Sequence, residues 1–239
     1  MLPLQDVNPV YRRPYLTWTL IGINVLVFLY QNMLSQRELA LFVLSNGVIP
    51  FHVTHGLNLD TALDIVRAMF IHGSWSHLFS NMLYLGIFGD NIEDRFGKAF
   101  FLLFYLTCGA AAAFAQALVD PQSTTPMIGA SGAIAGVLGA YFVLFPGVRV
   151  RGLIFFGFFA QIAEIPALIV LGLWFVLQLF NGFLSLGVPF GVAFFAHIGG
   201  FVAGMALCLL FMALFPQPPA RDRREWVYNR RRYYYDRWD

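Results

Sequence analysis

Charge is scarce in this sequence. Only 12% of the 239 residues are Asp, Glu, Lys or Arg, while 59% are apolar. Soluble domains carry about a quarter charged residues. One soluble core could not hide this much apolar surface, but a bilayer could. Cysteine is also scarce. Cys108 and Cys208 both fall in apolar runs, which favours small packing residues over a disulfide. There is no His-Glu-x-x-His, and His72 and His77 stand five apart. They share no helical face, so a zinc protease site is not built here. No internal repeat with paired broken helices appears, which argues against a small transporter. The polar, proline-containing start, residues 1–14, lacks the build of a cleavable signal.

What is present is a series of long apolar runs. About 20 apolar residues at ~1.5 Å each cross the hydrocarbon. The runs predict six spans, Tyr15–Leu34, Ser76–Ile92, Ala99–Val119, Gly129–Phe145, Ile162–Phe180 and Phe194–Phe215. Residues 152–161 are expected as a buried or interfacial lead-in to the fifth. Residues 35–75 form a mixed connection, expected to hold short helices at the membrane surface. The predicted class is an all-α polytopic membrane protein. A cytoplasmic N-terminus (1–14) precedes the membrane domain (15–215), and a basic, aromatic tail (216–239) follows it.

Arg12, Arg13, Arg95, Lys98, Arg149, Arg151 and the tail arginines fall on one side of this topology. Only Arg37 and Arg67 fall on the other. The positive-inside rule makes the first side cytoplasmic, with both termini there. The tail reads as a headgroup anchor, and no nucleic-acid partner is expected.

This topology brings four polar residues to one depth. His77 and Asn81 lie at the start of the second span, Ser131 at the start of the fourth and His197 at the start of the sixth. Intramembrane polar residues are costly and usually functional. His77 and Asn81 are four apart and share a helical face. Ser131, Ala135 and Gly139 form one stripe, with Gly132, Gly136 and Ala140 beside it. His197, Gly200 and Gly204 form another. Small residues at these intervals let membrane helices approach closely. The pattern predicts Ser131 as a nucleophile with His197 as its base. Asn81, His77 and the Ser131 backbone N–H are candidate oxyanion donors. No acidic residue is placed to orient His197, since Glu164 and Asp120 lie in loops or at the wrong helix ends. The expectation is therefore a dyad. His72, outside the second span, is expected to bond the connecting loop, and Glu93, Asp94 and Arg95 to anchor a cytoplasmic helix end.

Three stretches carry a family resemblance. They are His72-Gly73-Ser74-Trp75-Ser76-His77 with Asn81, then Gly129-Ala130-Ser131-Gly132, then Ala196-His197-Ile198-Gly199-Gly200 with Gly204. In this order they resemble the rhomboid intramembrane serine proteases over roughly residues 60–205. The resemblance implies Ser131 and His197 as the catalytic pair, with His77, Asn81 and Gly129 at the oxyanion and substrate site. It also implies a cavity opening to the extracytoplasmic side, single-span membrane protein substrates, and no cofactor or metal. The expected location is the cell (inner) membrane, as a multi-pass protein in the lipid bilayer. The connection Leu184–Gly191 is expected to cap the site. Two positions depart from the family pattern. Leu63-Asp64 stands where many relatives have Trp-Arg, and Ala135 where many carry an aromatic ring against the histidine.

Overall fold

The computed structural model describes residues 2–156, 159–187 and 191–215. The expected tail and most of the expected cap's tip (Val188, Pro189, Phe190) lie outside the described residues. The chain is mostly helical. In order come strand β1 (Leu2–Asp6) and helices α1 (Tyr15–Gln31), α2 (Gln36–Asn46), α3 (Pro50–His55), α4 (Leu59–Ala68), α5 (Trp75–Phe96), α6 (Lys98–Val119) and α7 (Ser131–Leu144). Strands β2 (Arg149–Phe156) and β3 (Phe159–Pro166) follow, then α8 (Ala167–Leu184) and α9 (Phe194–Leu214).

By length and composition, α6, α8 and α9 are able to cross a membrane, and α1 and α7 are shorter apolar helices. Helix α7 has only 14 residues, and Gly132 through Tyr141 are all buried. It is the central post of the bundle. Its surface is covered by protein, so it need not match the bilayer thickness that governs a lipid-facing helix. The outer faces of the other helices expose Leu26, Leu103, Leu173 and Leu209. Such an apolar exterior suits a membrane protein.

The helix ends are specified locally. Ser35 and Glu38 form a capping box at α2, Asn58 caps α4 and Ser74 caps α5. Helix α1 has no cap of its own. Glu93 near the end of α5 supplies one, accepting from the backbone N–H of Leu16 (3.0 Å) and Thr17 (2.7 Å) and from the Thr17 hydroxyl (2.8 Å). A carboxylate there satisfies free amides and faces the positive end of the helix dipole. The anchoring expected of Glu93 is thus given a partner, the start of α1.

The all-α expectation fails at one place. Strands β1, β2 and β3 form an antiparallel sheet in that order. The described part of the expected lead-in, residues 152–156 and 159–161, belongs to β2 and β3, and the fifth long apolar helix begins at Ala167 rather than Ile162. Val150, Ile154, Phe156, Phe159 and Ile165 favour a pleated surface. Arg151 lies directly opposite Glu164, with Nη2 2.7 Å from Oε1. Pro166 then ends the strand pairing and sits at the N-cap of α8. Open sheet edges do not occur in hydrocarbon, so this sheet lies outside the bilayer.

Candidate active site

Two long-range helix approaches build the site. Helices α7 and α9 cross where glycine faces glycine. A Cβ on Gly200 would collide with the Gly132 carbonyl, and one on Gly204 with the Gly136 carbonyl. Helix α6 closes the other side, since a Cβ on Gly132 would lie 2.5 Å from that of Ala112. The small-residue stripes thus do what their spacing predicts and bring the backbones of α7 and α9 into contact.

That contact sets the distance between the side chains at the helix starts. His197 Nε2 lies 2.8 Å from Ser131 Oγ, within the range for proton transfer between hydroxyl and imidazole. Both line a cavity of about 720 Å³, shared with His77, Asn81, Tyr84 and Trp174. All four polar residues expected at one depth are therefore brought together.

Gly129 is the turn before α7. Its φ of +122° is favourable only for glycine. The His77 ring occupies the place of a side chain there, since a Cβ would be 2.7 Å from Nε2. The Gly129 N–H donates to the Ala68 carbonyl at 2.8 Å, tying the turn to the end of α4. The loop, the His77 ring and the Ser131 amide thereby converge on one wall of the cavity.

His72 differs from its expected role. Its backbone does bond away from the site, exchanging hydrogen bonds with the Gln31 amide at 3.0 and 3.1 Å. Its ring instead reaches Asn81, whose Nδ2 donates to His72 Nε2 at 2.9 Å. Burial, with a smaller contribution from His77, pushes the His72 imidazole down to about 4. It is neutral at pH 7 and able to accept that bond. One Asn81 amide hydrogen is thus engaged, which fixes the plane of the amide and the direction of the other.

Three contributors were not legible from residue spacing. Gln178 on α8 places Oε1 2.9 Å from His197 Nδ1. Trp174, one turn earlier, puts its ring centroid 6.0 Å from that of His197. Gln116 on α6 accepts from the backbone N–H of Phe195 and Ala196 at 3.1 and 3.3 Å, satisfying the start of α9. The signal for Gln178 and Gln116 was a polar residue inside an apolar run, a feature that suggests a partner without naming it, and Trp174 gave no such signal. Glu164 is held by Arg151, and Asp120 ends α6, so neither carboxylate serves His197.

A half-buried serine and histidine are thus hydrogen-bonded between glycine-lined helices at the wall of a cavity. The Rhomboid domain family model matches residues 60–214, and the chain belongs to the rhomboid family. It is 30% identical over 130 residues to Rhomboid-like protein 11, chloroplastic, of Arabidopsis thaliana (54% of this chain, 42% of that one). It is 31% identical over 145 residues to Rhomboid protein 1, mitochondrial, of Saccharomyces cerevisiae (59% and 39%). Over 76 residues it is 37% identical to Rhomboid protease GluP of Bacillus subtilis (32% and 14%). The chain spans about two fifths of the length of the first two relatives.

Proposed function

We propose that this chain is an intramembrane serine endopeptidase that hydrolyses peptide bonds in or near transmembrane segments of other membrane proteins. The 2.8 Å approach of Ser131 Oγ to His197 Nε2 inside the cavity carries this reading. His197 takes the Ser131 proton as Oγ attacks the scissile carbonyl. Negative charge then builds on the carbonyl oxygen. The free hydrogen of the Asn81 amide, His77 and the Ser131 backbone N–H stabilise it, the last aided by the positive end of α7. His197 passes its proton to the leaving amine. Water, activated by the same imidazole, hydrolyses the acyl-enzyme and releases Ser131.

The full topology belongs to this proposal. Helices α1, α5, α6, α7, α8 and α9 form six spans with both termini cytoplasmic, so the starts of α5, α7 and α9 share the extracytoplasmic side. The positive-inside distribution of arginine supports that orientation. The sheet adds support, because β2, with Arg149 and Arg151, pairs with the N-terminal strand β1 and so keeps these arginines on the side of the N-terminus. Single-span substrates enter laterally between α5 and α8. Ser80 and Tyr84 of α5 and Trp174 of α8 all line the cavity, which favours that route. The protein is placed in a cell membrane as a multi-pass protein.

The test is cleavage of single-span substrates by the purified full chain in proteoliposomes. A fluorophosphonate probe should label wild-type Ser131 and spare Ser131→Ala, and substrate cleavage should vanish with the label. Undiminished cleavage by Ser131→Ala would overturn the reading.

A further inference from the structure

We infer that Gln178 is the positioning residue of this site, holding His197 in the tautomer that leaves Nε2 free to take the Ser131 proton. The inference rests on the protease reading for its purpose but on local geometry for its substance.

Gln178 is buried, in the middle of an apolar helix. A buried amide must satisfy both ends. Its Nε2 donates to the Trp174 carbonyl one turn back, at 3.4 Å, a long bond of the same helix. Its Oε1 faces His197 Nδ1 at 2.9 Å. Turning the amide over would set Oε1 against the Trp174 carbonyl, oxygen against oxygen. It would also aim an N–H at Nδ1. The helix backbone therefore selects the amide orientation, and an amide oxygen only accepts. His197 Nδ1 must then carry the proton. In the neutral ring this leaves Nε2 bare, and Ser131 Oγ, 2.8 Å away, donates to it.

The consequence fits the residues nearby. Position 135 offers no ring to pack against the histidine, because Ala135 stands there. Orientation comes instead from α8, through the Gln178 hydrogen bond and the Trp174 ring beside the imidazole. A carboxylate plays the corresponding part in a Ser-His-Asp triad, where it sets tautomer and orientation without itself gaining the proton. A neutral amide does the same here without burying a charge.

The test uses the full chain in lipid nanodiscs with ¹⁵N-labelled histidine imidazoles, with His197→Gln assigning the His197 signals. In Ser131→Ala, where the serine hydroxyl is gone, the expected His197 spectrum still shows the proton on Nδ1. Adding Gln178→Leu should give a mixture of tautomers. In kinetics, Gln178→Leu should lower kcat about tenfold, the worth of one hydrogen bond, with KM unchanged. Gln178→Glu, which keeps the acceptor, should retain more activity than Gln178→Leu. A proton on Nε2 in the Ser131→Ala chain would overturn the inference, as would an unchanged spectrum on adding Gln178→Leu. Absence of fluorophosphonate labelling in the wild type would instead overturn the protease reading, and the imidazole spectrum judges Gln178 in either case.

Discussion

The Tyr141 hydroxyl donates a 2.6 Å hydrogen bond to Asp6 Oδ2. This joins the N-terminal strand to the helix that begins at Ser131. Asn91 of α5 donates to the same oxygen at 2.9 Å. One carboxyl group thus ties β1, α5 and α7 together, about 15 Å along α7 from the serine. Residues 2–6 are the strand of the sheet that clamps the end of the central post remote from Ser131. Tyr141→Phe should therefore lower the thermal midpoint by the equivalent of about 1–2 kcal/mol. The serine geometry should survive, so fluorophosphonate labelling below the midpoint should be unchanged.

The same carboxyl predicts a pH dependence. Burial raises Asp6 from its ordinary 3.8 to about 6, against the opposing effect of the Tyr141 hydrogen bond. Between these values the folded chain holds a proton that the unfolded chain has lost. Its contribution to stability is complete below about 4 and is lost as pH rises through about 6. Thermal midpoints measured from pH 4 to 7 should fall across that window, and Asp6→Asn should flatten this part of the slope.

The helix crossing predicts a sharp contrast between glycines. A Cβ on Gly204 would strike the Gly136 carbonyl, whereas one on Gly22 of α1 meets nothing within 4 Å. Gly204→Val should force α9 away from α7, cost about 1–3 kcal/mol or more, and abolish Ser131 labelling. Gly22→Ala should leave labelling intact and hold or raise the thermal midpoint.

The cap supplied by Glu93 should be costly to remove. Glu93→Ala leaves two amides and a hydroxyl at the start of α1 without their acceptor. Loss of charge-assisted hydrogen bonds of this kind costs about 1.5–3 kcal/mol each. The expected result is a large drop in thermal midpoint, read by scanning fluorimetry in detergent.

On the wall of the cavity, Asn81→Ala should lower kcat about 10²-fold, the usual effect of losing one oxyanion donor. KM should change little. Gly129→Ala should be as damaging for another reason. It places a methyl group against the His77 ring at a backbone angle that alanine rarely adopts.

Much of the site was readable before any coordinates. Ser131, His197, His77 and Asn81 announced themselves because each is a polar residue that an apolar run would otherwise exclude. The stripes of Gly132, Gly136, Gly200 and Gly204 announced the close crossing because helical periodicity is local. The sheet was not readable. Between Arg151 and Glu164 the chain reads as a largely apolar run, and composition alone does not separate a buried helix from a hairpin. Only the pairing of Arg151 with Glu164, and of β2 with residues 2–6, tells them apart, and both are contacts between distant or folded-back segments.

The amino-acid sequence by itself thus determined a helical membrane protein, because apolar run length and small-residue spacing are properties of neighbouring residues, and its three ordered motifs around Asn81, Ser131 and His197 carried the resemblance to the rhomboid family. The tertiary structure decided how the chemistry is held. Gln178 meets His197, Asp6 meets Tyr141 and Glu93 meets Thr17. Each pair joins different elements. A polar residue in an apolar segment requires a partner, but which partner it finds depends on how the helices pack.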